Sequence, residues 1–182
     1  MKTIVYLDGF NLYYRMLKER PQYKWLNPLE LATEVLDPAN QIIKLWYFTA
    51  HVSARVDRDA PARQRIYLDA LKTVPTIEAR FGKFLVKKRW AGLVLPDLDP
   101  AKPQAKPPFL PWPNVVRIWR TDEKGSDVNL ATQLLIDSFK NNYEVAVVIT
   151  NDTDLVAPIR FATKEMKKIV GILTPYQIPR PR

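Results

Sequence analysis

The sequence predicts an α/β fold: a Rossmann-like, mostly parallel sheet with helices on both faces. Two observations favour it, namely short apolar runs rich in β-forming residues and helical patterns that alternate with them along the chain. Residues 3–7 and 145–149 are apolar along their whole length, as strands buried on both faces of a parallel sheet are. With right-handed crossovers, the natural order for five such strands is 3-2-1-4-5.

The first half of the chain has the pattern of a βαβαβ unit. Its second helix begins at Pro28, a residue suited to a first helical turn. The predicted elements are a strand over 3–7, a helix over 10–19, a helix from residue 28 with Leu29, Ala32, Val35 and Leu36 at helical spacing, a strand over 41–49, a helix over 61–72 with Ile66, Ala70 and Leu71 inward, and a strand over 76–81 ending at Gly82.

The second half carries an insertion before its last strands. Residues 83–95 predict a hairpin arm with a turn near Ala91 and Gly92, and the seven prolines of 96–113 predict a loop. The later elements are an extended segment over 115–119, a helix over 126–140 with Ser126 as N-cap and Val128, Ala131, Leu134, Leu135 and Phe139 as apolar stripe, a strand over 145–149, a helix over 155–166 and a strand over 168–173. We expect one domain over 1–175, with an arm and proline-rich insertion over 83–113 and a basic tail over 176–182.

Composition narrows the chemistry available to this 182-residue chain. Its 28 Lys and Arg against 19 Asp and Glu give a net charge of +9, which favours a polyanionic partner. The absence of cysteine excludes disulfides and thiolate ligands, and the single histidine, His51, excludes a metal site built from two or three histidines. Metal chemistry must therefore use oxygen ligands. No apolar run approaches the ~18 residues of a membrane span, so we expect a soluble, cytoplasmic protein with no membrane partner.

Four aspartates fall where ligands bind in parallel sheets, beyond the carboxyl ends of the strands. Asp8 follows the first predicted strand, Asp152 and Asp154 follow the strand over 145–149, and Asp127 opens the preceding helix. Two charges ~4 Å apart repel by roughly 4 kcal/mol at an effective dielectric of 20, so such a cluster needs a cation or a proton. Oxygen donors suit Mg²⁺ or Mn²⁺, which would activate water for phosphoryl transfer. Asp137 lies about 15 Å further along the helix and is expected to point away.

Three of the four acids also have an ordinary structural explanation. Asp8 before a glycine is typical of a turn, Asp154 suits a helix N-cap, and Asp127 suits the helix dipole. The metal-site hypothesis rests on their coincidence at one sheet edge. The Asn11 amide is either an accessory ligand for a metal-bound water or phosphate, or a polar residue of the first helical turn.

Three motifs taken together resemble the NYN domain, a PIN-like nuclease group that includes bacterial LabA-type proteins. They are DGFNL at 8–12, KGSDV at 124–128 and TNDTDL at 150–155, similar to the family patterns D-G-x-N, K-G-x-D and S-G-D-x-D-F. The resemblance implies a PIN-like Rossmannoid fold and a divalent-metal ribonuclease site of Asp8, Asp127, Asp152 and Asp154, with Asn11 as accessory. Thr150-Asn151 replaces the usual Ser-Gly, and Asn151 suits the left-handed backbone region that glycine would use; Leu155 replaces the usual Phe.

Cations beside aromatic rings predict an RNA-binding surface, because single strands are bound through phosphates and stacked bases. In the arm, the alternative is an edge strand whose lysines prevent sheet pairing. His51 is expected to be a hydrogen-bonded loop residue. The predicted substrate-binding residues are Lys124, Thr150, Arg63, Lys87, Lys88, Arg89 and Trp90, with Gln64 and Tyr67 as further groove residues.

The function expected from these residues is a metal-dependent endoribonuclease that hydrolyses phosphodiester bonds of single-stranded RNA. The alternative is a non-catalytic or regulatory RNA-binding protein with the same fold. An aspartyl-phosphate phosphatase is excluded, since Phe10 stands where its general acid would be. The sequence leaves DNA open as a substrate, and both a monomer and a homodimer open as oligomeric states.

Overall fold

The computed structural model describes residues 1–55, 57–93 and 113–175 of the chain. They form a mixed, mostly parallel six-stranded sheet with helices, in the strand order β4-β3-β2-β1-β5-β6. The elements are β1 (Lys2–Asp8), α1 (Gly9–Leu12), a π-helical turn (Tyr13–Leu17), a 3₁₀ turn (Pro21–Tyr23), α2 (Pro28–Val35), β2 (Gln41–Ala50), α3 (Ala60–Lys72), β3 (Ile77–Gly92), β4 (Val115–Lys124), α4 (Ser126–Phe139), β5 (Val145–Ile149), a 3₁₀ turn (Thr153–Leu155), α5 (Val156–Lys164) and β6 (Ile169–Leu173). The predicted α/β class is confirmed.

The core lies on both faces of the parallel strands. β1 pairs in parallel with β2 and with β5, and its side chains alternate between two apolar clusters. Val5 and Leu7 pack with buried residues of α1, α2 and α3, such as Leu12, whereas Ile4 and Tyr6 pack with the buried leucines of α4. Helices therefore cover both faces, and the ends of β1 and β5 are fixed side by side.

Strand β3 does not end at Gly82, as the sequence predicts, but continues for ten more residues to Gly92. A Cβ on residue 82 would lie 2.5 Å from the Glu123 Oε1 atom and 2.7 Å from the Lys124 carbonyl oxygen. This glycine therefore admits the chain that leads into α4, and it does not mark a strand end. The predicted extended segment over 115–119 is the start of a ten-residue strand, β4, which gives the sheet six strands where five were predicted.

The chain divides into two compact units, Met1–Phe84 with Glu123–Arg182, and Leu85–Asp122. Within the second unit the Lys88 ammonium lies 4.8 Å from the centre of the Trp119 ring, and the Arg117 guanidinium lies 5.8 Å from the centre of the Trp90 ring. Most of the predicted proline loop over 96–113 and the predicted tail over 176–182 lie outside the described residues. In the described part of the chain, no helix has the length and apolarity that crossing a membrane requires.

The helix predicted over 10–19 is confirmed over residues 10–17, where α1 continues directly into the π-helical turn. Two local predictions are wrong. In α3 the buried residues are Leu68 and Leu71, whereas Ile66 and Ala70 are exposed. Helix α4 begins after Gly125, which takes a left-handed φ of 95°, so Ser126 is the first helical residue and not the N-cap.

The buried face of α4 also differs from the predicted stripe. Val128 and Phe139 are 67% and 63% exposed, while Leu130, Leu134 and Asp137 are buried. These three residues follow the i, i+4, i+7 spacing of one helix face. Because the third of them is a carboxylate, a pattern search for apolar residues does not find this face.

Asp137 is the centre of a buried hydrogen-bond network. Its Oδ2 accepts bonds from the Tyr6 hydroxyl at 2.8 Å, the Trp46 Nε1 at 3.2 Å and the Gln133 Nε2 at 3.1 Å. Its Oδ1 accepts a bond from the Asn142 Nδ2 at 2.8 Å. The network ties α4 to β1 and β2, so this acid has a structural role.

We predict that Asp137→Ala lowers the free energy of unfolding by about 3 kcal/mol, because buried donors on Tyr6 and Trp46 lose their acceptor. Urea denaturation measures the change. Glu165→Ala, at an exposed position, is the control and is expected to stay within about 0.5 kcal/mol of the parent. A loss under 1 kcal/mol for Asp137→Ala would show that the network contributes little.

Candidate functional site

The four predicted acids lie around one end of the parallel sheet. Asp8 is the last residue of β1, and Asp152 and Asp154 follow β5. β1 and β5 are neighbours in register, with Leu7 opposite Ile149, so both strands deliver their acids to the same edge. Asp127 lies in the first turn of α4.

Asp8 is fixed from both sides. It is 5% exposed; its Oδ1 accepts the Asn11 amide N–H at 2.9 Å, and its Oδ2 accepts the Thr150 hydroxyl at 3.1 Å. The Thr150 hydroxyl oxygen in turn accepts the Asp152 amide N–H at 3.0 Å, and the Asn11 side-chain oxygen accepts the Asn151 amide N–H at 3.2 Å. Thr150 and Asn11 therefore join the loops after β1 and β5 into one network.

Gly9 shows that the segment after Asp8 is more than a generic turn. A Cβ on this residue would lie 2.7 Å from the Tyr47 Cζ atom and 2.9 Å from the Phe48 carbonyl oxygen. α1 can therefore begin directly against β2 only because residue 9 has no side chain.

Asp152, not Asp154, is the capping residue after β5. Its Oδ1 accepts the Asp154 amide N–H at 2.9 Å and caps the 3₁₀ turn. Asp154 is exposed, and neither its carboxylate nor that of Asp127 accepts a hydrogen bond from the described residues. Both remain available to a ligand.

The acids are coupled through their charges. Burial, and after it the charges of Asp8, Asp152, Glu123 and Asp154, together raise the pKa of Asp127 to about 6. Burial also raises the pKa of Asp8, with contributions from the charges of Asp152 and Glu123, while the hydrogen bonds from Asn11 and Thr150 act in the opposite direction. A cation at this edge would relieve the repulsion.

Glu123, at the end of β4, is a fifth acid, which the sequence patterns did not single out. Its Oε1 accepts the Ser126 amide N–H at 3.0 Å and the Ser126 hydroxyl at 2.6 Å, so it caps α4 from outside the helix. The one feature of the sequence that points to Glu123 is its position directly before the KGSDV motif. Glu123 holds the start of α4, and with it Asp127, beside the other acids.

The acids suit a divalent cation by their chemistry but not by their arrangement. Among the described residues, no group of three or more His, Cys, Asp or Glu side chains is arranged so that it could hold a metal ion. The chemistry of the donors nevertheless fits Mg²⁺ or Mn²⁺, since all are carboxylates. Binding would therefore require the side chains of these acids to rearrange.

Lys124 is exposed and lines a groove of about 600 Å³ between α4 and α5. Asp127 and Asp154 line the same groove, together with apolar residues such as Val128 and Phe161. The structure therefore brings Lys124 together with two of the predicted acids.

Of the other predicted substrate residues, Thr150 lies at the acidic edge, where its hydroxyl donates to Asp8, and Arg63 and Gln64 lie beside the loop after β2. Arg63 forms an ion pair with Asp57, and Gln64 holds the loop after β2 through bonds to the Ala50 carbonyl at 2.8 Å and the Val52 amide at 3.0 Å. Exposed positions in the second unit are occupied by Lys87, Lys88, Arg89 and Trp90.

Two further expectations need correction. His51 is exposed and stacks on Phe81 at 4.4 Å between ring centres, and its imidazole forms no hydrogen bond with the described residues. Asn151 does not take a left-handed backbone; in the described chain, the non-glycine residues with positive φ are Asn141 and Lys167. Instead, the Asn151 Nδ2 donates to the Pro175 carbonyl, and its buried Oδ1 has no hydrogen-bond partner among the described residues.

Fold and site together define an α/β protein with an acidic edge at the carboxyl ends of its parallel strands. No family model matches the chain. It is similar to the 6-hydroxy-3-succinoylpyridine 3-monooxygenase HspA of Pseudomonas putida (strain DSM 28022 / S16), with 31% identity over 194 residues. The aligned region covers 96% of this chain and 60% of that protein, so the chain spans about three fifths of the length of its relative.

The fold is also similar to a crystal structure of a protein of unknown function, VPA0982, from Vibrio parahaemolyticus RIMD 2210633. The TM-score is 0.51 at 13% identity, and the superposition covers 95% of this chain and 80% of the other. This likeness extends to the fold alone.

We predict that Asp127→Asn stabilises the metal-free protein at pH 7.5. The folded-state pKa of about 6 exceeds the unfolded value of 3.8, so stability falls as pH rises between these values, and the cost is fully present above pH 6. Because the residue is only half-buried, we expect about 1 kcal/mol, or a rise in Tm of about 2–4 °C, vanishing near pH 4.

Asp69→Asn is the matched control. The Lys72 ammonium lowers the pKa of Asp69, so removing this charge is not expected to raise Tm at pH 7.5. Equal Tm values for Asp127→Asn and the parent across this pH range would contradict the coupling of the acids.

Proposed function

We propose that the protein is a divalent-metal-dependent endoribonuclease of the NYN, PIN-like class that hydrolyses single-stranded RNA. The observation that carries the proposal is the position of Asp8, Asp127, Asp152 and Asp154 at one edge of the sheet. Burial, and after it the charges of the neighbouring acids, raise the pKa of Asp127 to about 6, and a cation bound among these acids would relieve their repulsion. If the four acids had only structural roles, no bound cation would offset the repulsion between them.

Each residue has a distinct part in this site. Asp127, Asp152 and Asp154 would hold the cation, because their carboxylates are the least engaged by hydrogen bonds, and Asp8 would add a ligand fixed by Asn11 and Thr150. Bound Mg²⁺ or Mn²⁺ supplies an activated water and neutralises charge on the phosphate. Lys124, in the groove of Asp127 and Asp154, would bind a phosphate of the RNA. Asn11 is a positioning residue, since its amide bridges to the loop after β5.

The strand order supports the PIN-like assignment. With β4 left aside, the parallel strands follow one another as β3-β2-β1-β5-β6, and we assign this arrangement to the PIN-like order 3-2-1-4-5. The acids then fall beside β1, the strand at which the order reverses, where open α/β sheets bind ligands.

We predict that Asp152→Asn lowers Mn²⁺-dependent cleavage of a single-stranded RNA by at least about 100-fold, because it removes a ligand charge while keeping the side-chain volume. The assay is cleavage of a labelled RNA in the presence of Mn²⁺ or of EDTA. The control is Glu165→Gln, at an exposed position directly after α5. Full turnover by Asp152→Asn would reject the metal site. RNA that is bound but never cleaved by the parent protein would favour the non-catalytic, regulatory alternative.

We also propose that the second unit binds RNA phosphates through Lys87, Lys88 and Arg89, beside the Trp90 ring. Replacing the three cations by Ala should lower the slope of log affinity against log salt by about 0.7 for each RNA phosphate that a cation no longer neutralises, without changing the metal requirement. The matched control replaces three exposed cations of the other unit, Arg65, Lys140 and Lys164. An unchanged slope in the arm variant would assign its cations to edge protection.

The monooxygenase relative favours a second candidate function, oxygenation of a pyridine compound. The likeness extends over 96% of this chain, although two fifths of the relative have no counterpart in it. Incubation of this chain with 6-hydroxy-3-succinoylpyridine, O₂ and a reductant tests the candidate. Substrate consumption that needs both O₂ and the reductant would favour it over the nuclease.

A further inference from the structure

A second cavity lies beside the acidic edge and belongs to neither the acids nor the groove of Lys124. It measures about 500 Å³ and opens where β1 and β2 end, between α1 with its π-helical turn and the start of α3. Its size is that of sites for small organic ligands. The walls are rich in aromatic rings: Phe10, Tyr13, Trp25, Tyr47 and Tyr67.

The aromatic walls are held in place before any ligand arrives. Tyr47 is buried, and the Tyr67 hydroxyl donates to the Leu26 carbonyl at 2.9 Å. The Tyr67 ring lies 6.3 Å from the Trp25 ring and 6.1 Å from the Tyr47 ring, both in edge-to-face geometry. Such a wall offers ring faces and edges to a flat ligand at little cost in conformational entropy.

The polar groups of the cavity are few and separated. The Thr49 hydroxyl and the Lys24 ammonium form no hydrogen bond or ion pair with the described residues. Arg63 and Asp57, paired with each other, also line the cavity, so Lys24 leaves it with one positive charge in excess. An anionic group on the ligand would find its counter-charge there.

We propose that this cavity binds a planar heteroaromatic ring carrying an anionic group. The ring would pack against the tyrosine and tryptophan walls, with the Thr49 hydroxyl available to a ring heteroatom and the anion near Lys24. Two sources share this chemistry: a nucleotide of an RNA substrate and a free heteroaromatic acid. The proposal concerns binding alone and does not depend on the metal site or on cleavage.

The cavity is electrostatically connected to the acids although they do not line it. Gly9, the residue after Asp8, forms part of its wall, and the negative charge of Asp8 contributes to the raised pKa of Tyr47. A ring seated here would therefore lie next to the first acid of the site.

The test is binding to the metal-free protein, measured by calorimetry with defined probes. Uridine 5′-monophosphate and pyridine-3-carboxylate represent the two sources, and cyclohexanecarboxylate is an anion without an aromatic ring. We expect at least one aromatic probe to bind with a Kd below about 1 mM, and cyclohexanecarboxylate at least about 10-fold more weakly. The tighter of the two aromatic probes identifies the source.

Matched variants of α3 locate the binding site. Ala60 lines the cavity, so Ala60→Leu fills part of it and should weaken the aromatic probe by about 10-fold or more. Ala62→Leu adds the same atoms at an exposed position two residues later and should leave the Kd unchanged. Circular dichroism checks that both variants fold.

Lys24→Gln removes the positive charge without filling the cavity and therefore tests the contribution of that charge. We expect about threefold weaker binding of the anionic probes. The proposal is overturned if neither aromatic probe binds with a Kd below about 1 mM. Equal affinities for Ala60→Leu and Ala62→Leu, or for the aromatic and the cyclohexane probes, would also overturn it. All these measurements use the metal-free protein and do not involve RNA cleavage. Their outcome is therefore independent of whether the nuclease proposal holds.

Discussion

The parallel pairing of β1 with β5 is the constraint on which the rest of the site depends. Because both strands run in the same direction and in register, their carboxyl ends meet, and the loops that follow them must share one small volume. Asp8, Thr150 and Asp152 form their hydrogen-bond network only because of that meeting. The apolar residues of β1 and β5, buried on both faces, supply the free energy that holds the polar ends together.

Stability and charge oppose each other at this edge. The core fixes Asp8 in a place where burial disfavours its charge, and Glu123 and Asp127 are added by the turn into α4. At the opposite end of α4, Asp137 is buried and accepts hydrogen bonds from four side chains. The two aspartates of this helix thus differ, because the Asp127 carboxylate accepts no hydrogen bond from the described residues.

Sequence patterns predicted the parts of this protein that depend on local chemistry. Strands such as β5 are apolar throughout, and their placement required no knowledge of partners. Sequence patterns did not predict the features that depend on contacts between residues far apart in the chain. The glycine at 82 is typical of a strand end, but here it admits the chain after β4; the buried face of α4 is obscured because Asp137 takes a core position; and Glu123 has no motif of its own. The aromatic cavity brings together residues from four separate segments, which no spacing reveals.

The link between Asn151 and the Pro175 carbonyl ties the residues just after β6 to the loop that carries Asp152. The ends of β5 and β6 are therefore joined by a side chain as well as by the parallel pairing of the two strands. Because this contact uses the Asn151 amide and no carboxylate, replacing Asn151 would loosen Pro175 without removing a charge from the acidic edge.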